Sequence, residues 1–174
     1  MEETVLIQEC RKGNRKAQEE LYHHFAAKMM GICIRYSRDR ETANDLLQEG
    51  FIKVFMNLHT YNGNGSFEGW VRKIFIHCAL ERIRQEKLFE PISENEEIHR
   101  ETSIPSVLEE LTAQEMVSLI RQLPPGYQTI FNLFAIEGFS HKEIGLLLHI
   151  TEGTSRSQYA RARYTLQQMI KNRY

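Results

Sequence analysis

The first half of the chain shows a regular alternation of apolar and polar residues. Between Asn14 and Tyr36, apolar side chains return at intervals of three or four residues, which is the period of a helix with one buried face. The next segment repeats this period, and either Asp39 or Thr42 is placed to cap its start. Two long helices are therefore predicted. Their inward-facing residues are Leu21, Phe25, Met29, Ile32, Cys33, Tyr36, Leu47, Phe51, Val54, Phe55 and Leu58.

A short loop of glycine and asparagine interrupts this period. Residues 61–65 read Tyr-Asn-Gly-Asn-Gly, and Gly and Asn accept left-handed backbone conformations more readily than other residues. Ser66 is placed to cap a third helix after the loop. The inward-facing residues of this helix are predicted to be Phe67, either Trp70 or Val71, Ile74, Cys78 and Ile83.

The C-terminal part carries the start and stop signals of several shorter helices. Pro124 and Pro125 end one helix and begin another over residues 127–136, because proline is tolerated in a first helical turn but not in an interior. Ser140 and Glu143 form a pair that satisfies free backbone amides at the start of a further helix. A tight turn at residues 149–150 then leads into the last helix, which Thr151 caps. A helix-turn-helix is predicted here.

The last helix has one apolar and one basic face. From Gly153 to Tyr174 the chain contains five basic residues and no acidic one. At 100° per residue, Arg156, Ser157 and Arg161 lie opposite the apolar stripe, and such a face suits phosphate and groove contact. The apolar stripe consists of Tyr159, Ala162, Leu166, Met169 and Ile170.

The chain is predicted to be all-α, with two small helical domains joined by an acidic linker. The net charge of −1 conceals an uneven distribution, because residues 91–118 contain one basic and seven acidic residues. Residues 1–90 are nearly balanced, and residues 119–174 hold seven basic and three acidic residues. We predict a first domain over 1–90, a mobile linker over 91–118 that runs into the first helix of the next domain, and a second domain over 119–174.

Several classes of protein are excluded by composition and by the pattern of the ends. No apolar stretch approaches the roughly 20 residues that cross a bilayer, and the acidic start Met-Glu-Glu-Thr is unlike a signal peptide. We therefore expect the protein to stay in the cytoplasm, without membrane insertion. Cys10, Cys33 and Cys78 have no Cys-x-x-Cys spacing and are interpreted as buried residues. No metal and no cofactor is predicted.

Two blocks of residues make the chain similar to a bacterial RNA polymerase sigma factor of the sigma-70 family, extracytoplasmic-function (ECF) subfamily. The first block runs from Asp45 to Phe55 and continues through the loop to Trp70. The second block consists of residues 123–125, 137–144, 153–157 and 160–163. Either block alone is common among regulators, whereas both in this order are specific. The resemblance extends over nearly the whole chain.

The resemblance implies a subunit that binds core RNA polymerase and directs promoter-specific initiation, while polymerase performs the chemistry. The first block implies a polymerase-docking helix and a loop and helix that read the minus-ten element as an unstacked strand. The polymerase-binding residues would be Asp45, Gln48, Glu49 and Phe51. The minus-ten residues would be Asn62, Asn64, Ser66, Phe67, Arg72, Lys73, His77 and Arg84. Phe67 and Trp70 also fit a purely structural role in the core.

The second block implies major-groove and backbone contact at the minus-thirty-five element. The residues expected there are Arg156, Ser157, Gln158, Arg161 and Arg163, although Arg163 flanks the apolar stripe and also fits a bracing role. The chain departs from the usual family pattern at Ser155, Gln158 and His149. The residue at the last position lies in a turn that usually holds glycine.

The partners implied are core RNA polymerase, promoter DNA and an anti-sigma factor. An alternative is a stand-alone helix-turn-helix regulator, which would share the second block but not need the first. A helical metal enzyme would need Glu-x-x-His pairs on two different helices, and no two of the predicted helices carry them. The residues weighed for such a site are His23, His24, Glu49, His77 and His141.

Overall fold

The computed structural model describes residues 2–85 and 112–173, and the chain divides into two compact units, Met1–Arg82 and Ile83–Tyr174. Most of the predicted linker lies outside the described residues. The described residues form eight α-helices and no strand, as the all-α prediction requires. The helices are α1 (Glu3–Arg11), α2 (Arg15–Tyr36), α3 (Arg40–Asn57), α4 (Phe67–Gln85), α5 (Ala113–Arg121), α6 (Pro125–Phe131), α7 (His141–Leu148) and α8 (Glu152–Arg173).

The N-terminal unit is built around α2. Asn14 caps this helix by accepting hydrogen bonds from two backbone amides of its first turn, and Asp39 does the same for α3 through the amide of Thr42. The choice between Asp39 and Thr42 is thus decided for Asp39. Helix α1 was not predicted, and it packs on α2 through Leu6, Ile7 and Cys10.

The buried face of α4 differs from the prediction. Phe67, Val71 and Phe75 are buried at intervals of four residues, whereas Trp70 and Ile74 are only half-buried. The sequence favoured Ile74 because three- and four-residue steps from Phe67 reach either position. Packing against α3 selects Phe75, whose ring lies against Phe51 with centroids 5.3 Å apart.

The C-terminal unit has a separate core between α5, α6 and α8. Helix α5 begins at a capping box of Thr112 and Glu115, inside the segment predicted to run from linker into helix. The predicted helix over 127–136 is present as α6 followed by a π-helical turn, Asn132–Ile136. The core of this unit consists of Leu119, Ile120, Leu123, Tyr127, Ala162, Leu166 and Ile170.

Long apolar helices are absent from the described residues. Within residues 2–85 and 112–173, none of the helices is both long and apolar enough to cross a membrane.

Candidate polymerase and nucleic-acid interfaces

The loop between α3 and α4 is held open by local hydrogen bonds. Gly63 and Gly65 both have φ near +80°, a conformation that other residues rarely adopt. The Asn62 side chain accepts a hydrogen bond from the amide of Asn64 at 3.0 Å, and the Tyr61 hydroxyl donates to the Gly65 carbonyl at 2.9 Å. The loop therefore presents an exposed, preformed backbone with the side chain of Asn64 at its tip.

The aromatic residues beside the loop form a floor beneath it. Tyr61, Phe67 and Trp70 contact one another, with ring centroids 5.1 to 5.6 Å apart. Phe67 is only 1% exposed, so the structure corrects its predicted role as a stacking surface for a base. Its ring is used in packing against Phe25. Tyr61 and Trp70 are half-buried and keep ring surface accessible.

A basic stripe follows the loop along α4. Lys73, His77 and Arg84 are exposed and succeed one another at intervals of four and seven residues, which places them along one face of the helix. Arg72 lies to the side and is half-buried. Ser66 starts the helix by accepting a hydrogen bond from the amide of Gly69 at 3.1 Å, so its hydroxyl has a structural partner. The stripe suits contact with phosphates.

The exposed face of α3 carries the residues predicted to bind polymerase, with one correction. Asp45 and Gln48 are exposed, but Phe51 is 3% exposed and packs between the rings of Tyr22 and Phe75. The amphipathic period explains the error, because Phe51 belongs to the buried stripe. Glu49 is half-buried beside Lys53, whose ammonium lies 3.1 Å from its carboxylate.

Two apolar residues extend this α3 face and were missed in the sequence. Ile52 is 60% exposed and Met56 is 70% exposed, and they follow Gln48 at four-residue steps. Two exposed apolar side chains one helical turn apart form a continuous apolar surface, and such surfaces mark sites of partner binding. The signal was present in the sequence, because both positions are out of phase with the buried stripe.

The helix-turn-helix forms as predicted. Ser140 and Glu143 make the capping box of α7, and the Thr154 amide donates to the Thr151 hydroxyl at 3.0 Å at the start of α8. His149 occupies the turn with φ of 57°, the left-handed conformation that glycine usually takes. Gly145 lies where an added Cβ would be 2.8 Å from the Ile150 carbonyl oxygen, so only glycine lets the turn close.

The solvent face of α8 contains Arg156 and Ser157. Arg156 is exposed and pairs with Glu152 one turn earlier, while the Ser157 hydroxyl donates to the Thr154 carbonyl at 3.0 Å. Arg161 is half-buried on the same helix. Among the predicted minus-thirty-five residues, Arg156 is therefore the one whose charged group is most open to DNA.

Gln158 and Arg163 do not lie on that open face. Gln158 is 1% exposed, and neither atom of its side-chain amide has a hydrogen-bond partner within the described residues. Its predicted contact with DNA is corrected, because the helix turns this position toward the protein interior. Arg163 is half-buried and lines an apolar groove with Phe131 and Leu166, as the bracing interpretation requires.

A polar pair inside the helix-turn-helix explains one departure from the usual sigma pattern. The His141 ring lies 4.1 Å from the ring of Phe134, centroid to centroid, and its Nδ1 is 2.9 Å from the hydroxyl of buried Ser155. Ser155 thus joins α7 to α8 by a hydrogen bond in place of an apolar contact. Burial, and secondly the charge of Arg156, lowers the pKa of His141.

Two family models match the chain. Sigma-70 region 2 matches residues 21–89 and Sigma-70, region 4 matches residues 107–166, and together they account for more than half of the chain. The chain belongs to the sigma-70 family. The loop, the α3 face and the basic stripe fall within the region 2 match, and the helix-turn-helix falls within the region 4 match.

Curated relatives narrow this sigma-70 assignment to the extracytoplasmic-function subfamily. ECF RNA polymerase sigma factor SigW of Bacillus subtilis is 27% identical over 178 residues, covering 95% of each chain. RNA polymerase sigma-H factor of Pseudomonas aeruginosa is 26% identical and covers 95% of this chain and 92% of its own. SigE of Mycolicibacterium smegmatis, an ECF factor, is 31% identical over 87% of this chain and 61% of its own length.

Solved sigma-factor structures share the fold. CnrH in complex with the cytosolic domain of CnrY superposes with a TM-score of 0.54 at 17% identity and covers 97% of this chain and 96% of its own. The sigma factor RpoE in complex with the anti-sigma factor NepR from Bartonella quintana gives a TM-score of 0.56 at 19% identity, with 88% and 96% coverage. At these identities the likeness concerns the fold alone.

Metal-binding clusters are absent from the part of the chain that the structure describes, where no three His, Cys, Asp or Glu residues are grouped to hold an ion. The three cysteines are free and buried, as the sequence predicts. Burial raises the pKa of all three thiols, to about 12 for Cys33 and about 11 for Cys78.

We expect these thiols to be inert in the folded protein. A thiol with a raised pKa contains little thiolate, and its burial blocks approach of a reagent. Mass spectrometry after treatment with iodoacetamide at mildly alkaline pH should show unmodified native protein, and three modifications after denaturation in guanidinium chloride. Rapid native modification of Cys33 or Cys78 would contradict the burial described here.

The lowered pKa of His141 predicts acid sensitivity of the C-terminal unit. The unfolded chain binds the proton at a higher pH than the folded chain, so the free energy of unfolding falls as the pH decreases through the ordinary histidine range. A His141→Asn variant should show a weaker loss of melting temperature on acidification than the wild type. His149→Asn is the matched control, since this side chain is exposed and Asn accepts its left-handed backbone.

Substitution of Gln158 tests whether this residue serves only the core or also contacts DNA. Gln158→Leu removes an unpaired buried amide and should raise the free energy of unfolding by about 1 kcal/mol or leave it unchanged. Duplex affinity should stay the same. A clear loss of affinity without loss of stability would show instead that Gln158 swings out to contact a base.

Proposed function

We propose that this sigma factor binds core RNA polymerase and directs it to promoters by reading two DNA elements, one with each unit. The observation that carries the proposal is the presence, in one chain, of both sigma modules with their charged faces open to solvent. The α4 stripe belongs to the first module and Arg156 to the second. A stand-alone helix-turn-helix regulator would need only the second module.

The proposed polymerase contact is the α3 face of Asp45, Gln48, Ile52 and Met56. Its polar residues lie one turn apart, and the two exposed apolar residues add the desolvated centre that a stable interface needs. Glu49 borders this face beside Lys53. The exposed apolar area favours docking over a merely solvated helix face.

The proposed minus-ten site is the 61–66 loop with the α4 stripe. Recognition of a single strand needs backbone groups that can bond base edges, aromatic rings on which bases can stack, and positive charge for the phosphates. The loop supplies the backbone groups, Tyr61 and Trp70 supply the rings, and the α4 stripe supplies the charge. Asn64 is our candidate for contact with a base edge, whereas Asn62 and Ser66 shape the backbone. The stripe would hold the phosphates that follow.

The proposed minus-thirty-five site is the exposed face of α8. Arg156 and Ser157 would enter or flank the major groove, and Arg161 would contact the backbone. The helix N-terminus adds a favourable partial charge near phosphate. We further propose the domain bounds 1–90 and 119–174, joined by 91–118, so that the two modules can reach separated elements.

An anti-sigma factor is the proposed regulatory partner. Of the two solved structures with this fold, RpoE is in complex with the anti-sigma factor NepR, and CnrH is in complex with the cytosolic domain of CnrY. Such a partner would cover the α3 face and so compete with polymerase. The site of action proposed is the cytoplasm, where both DNA and polymerase are found.

In vitro transcription tests the proposal most directly. Purified protein added to core polymerase on genomic fragments should give discrete start sites that neither component gives alone. A double variant, Ile52→Glu with Met56→Glu, should abolish these starts and co-purification with core polymerase while leaving the fold intact. The matched control is Val5→Glu, an exposed apolar residue on α1. Tight DNA binding without start-site selection would favour the stand-alone regulator.

A further inference from the structure

One arginine of α1 reaches across to the chain that enters the minus-ten loop. The Arg11 Nε donates a hydrogen bond to the carbonyl of Leu58 at 3.1 Å, and its Nη2 donates to the carbonyl of Tyr61. Within the described residues, these two carbonyls are the hydrogen-bond acceptors of this guanidinium. Arg11 is thus occupied with backbone of the loop rather than with a carboxylate.

The two carbonyls lie at the places that set the direction of the loop. Leu58 begins the short 3-10 helix that follows α3, and Tyr61 ends it, two residues before Gly63. The hydroxyl of Tyr61 in turn holds the far side of the loop through the Gly65 carbonyl. Because glycine contributes no side-chain packing, the loop depends on hydrogen bonds, and those from Arg11 are added to the ones within the loop.

Helix α1, which carries Arg11, is anchored in the core of the N-terminal unit. Leu6, Ile7 and Cys10 are buried against the rest of the unit, so the helix that carries Arg11 is fixed in place. Between α1 and the loop lies an open cleft of about 400 Å³, with Gln8 and Arg11 on one wall and Asn62 on the other. The hydrogen bonds of Arg11 join the two walls and so fix the distance between them.

We propose that Arg11 is a positioning residue for the minus-ten loop, and that α1 sets the geometry in which this loop receives an extruded base. This inference rests on the proposed function and extends it to a helix that precedes the residues matched by Sigma-70 region 2, which begin at residue 21. The guanidinium fork suits the task, because its Nε and Nη2 donate in fixed directions to the two carbonyls, whereas the donors of one ammonium rotate freely.

The test uses holoenzyme with a promoter mapped by the transcription assay, and single-stranded oligonucleotides of its minus-ten element with each base replaced in turn. Arg11→Ala and Arg11→Lys are compared with Lys12→Ala, an exposed neighbour paired with Glu9. Both Arg11 variants should lose about tenfold in discrimination between the preferred and replaced base, the scale of one lost charged hydrogen bond. Hydrogen exchange of the amides of residues 62–66 should become faster.

Two further readouts decide between positioning and direct DNA contact. If Arg11 acts through the loop, the salt dependence of binding stays unchanged and Lys does not restore discrimination. If Arg11 instead bound a phosphate, Lys would restore affinity and Ala would lower the salt slope by about one, which would overturn the inference. Unchanged discrimination in both variants would also overturn it. Failure of the wild-type holoenzyme to select a start site would count against the proposed function, and this control is run first.

Discussion

Replacement of Gly50 by alanine should destabilise the N-terminal unit more than the same replacement at Gly31 or Gly69. A Cβ at this position would lie 2.2 Å from Cε1 of Phe75, whose ring is fully buried and packed on Phe51. The ring of Phe75 would have to shift, or α3 and α4 would have to move apart, and either change disturbs this buried core. We expect a loss of about 1 to 3 kcal/mol in the free energy of unfolding, greater than the roughly 1 kcal/mol that alanine gains over glycine in a helix.

The fluorescence of Trp70, the single tryptophan of the chain, measures this effect in the N-terminal unit. Gly31→Ala is the matched control, because its nearest heavy atom would be Nη1 of Arg35 at 3.8 Å, and this variant should be more stable than wild type. Phe75→Leu should partly rescue Gly50→Ala, since it removes ring atoms that clash. An unchanged unfolding midpoint in Gly50→Ala would show that α3 and α4 are not packed as described.

We expect substitutions on the two DNA-reading surfaces to impair different steps of initiation. Arg156→Ala should weaken binding to the upstream duplex element and lower the salt slope by about one, because one phosphate contact releases about one counterion. Strand opening, once the complex has formed, should be preserved. Asn64→Ala should do the reverse, leaving upstream duplex affinity intact and reducing open complexes, because its side chain is exposed at the tip of the loop.

Permanganate reactivity of unpaired thymines, measured beside duplex affinity, compares the two variants. Asn62→Ala is a necessary companion, because Asn62 holds the Asn64 amide and its loss would distort the loop rather than remove a base contact. Normal opening by Asn64→Ala, or an unchanged salt slope in Arg156→Ala, would contradict the site concerned.

Local signals of the sequence predicted the helices of both units well. Cap residues such as Asp39, Ser140 and Thr151 act on neighbouring amides, so their effect is visible in a few consecutive residues. His149 was singled out through the resemblance, because it lies in a turn that usually holds glycine, and its backbone is left-handed. Helix α1 was missed because no side chain caps its start, so it lacks the local signal that marks α7.

The sequence predicted the sites less well wherever a side chain had to be assigned to one of two faces. Phe51, Phe67 and Gln158 were expected at interfaces and are buried. Each lies in a set of predicted contact residues that also has exposed members, such as Asp45, Lys73 and Arg156. A motif alone does not fix which side chains of a helix face the core. Ile52 and Met56 were not assigned to the α3 face, although their phase places them outside the buried stripe.

By itself, the sequence determined the all-α class, the caps and turns, the helix-turn-helix and the resemblance to sigma factors, because these depend on residues close together in the chain. Only the tertiary structure decided that Phe75 rather than Ile74 fills the core, that Gly50 admits its ring, and that Arg11 reaches the carbonyls of Leu58 and Tyr61. Arg11 and Tyr61 are 50 residues apart, and no local pattern encodes such a meeting. The packing of whole helices brings them together, and packing is settled by the combined shapes of many side chains.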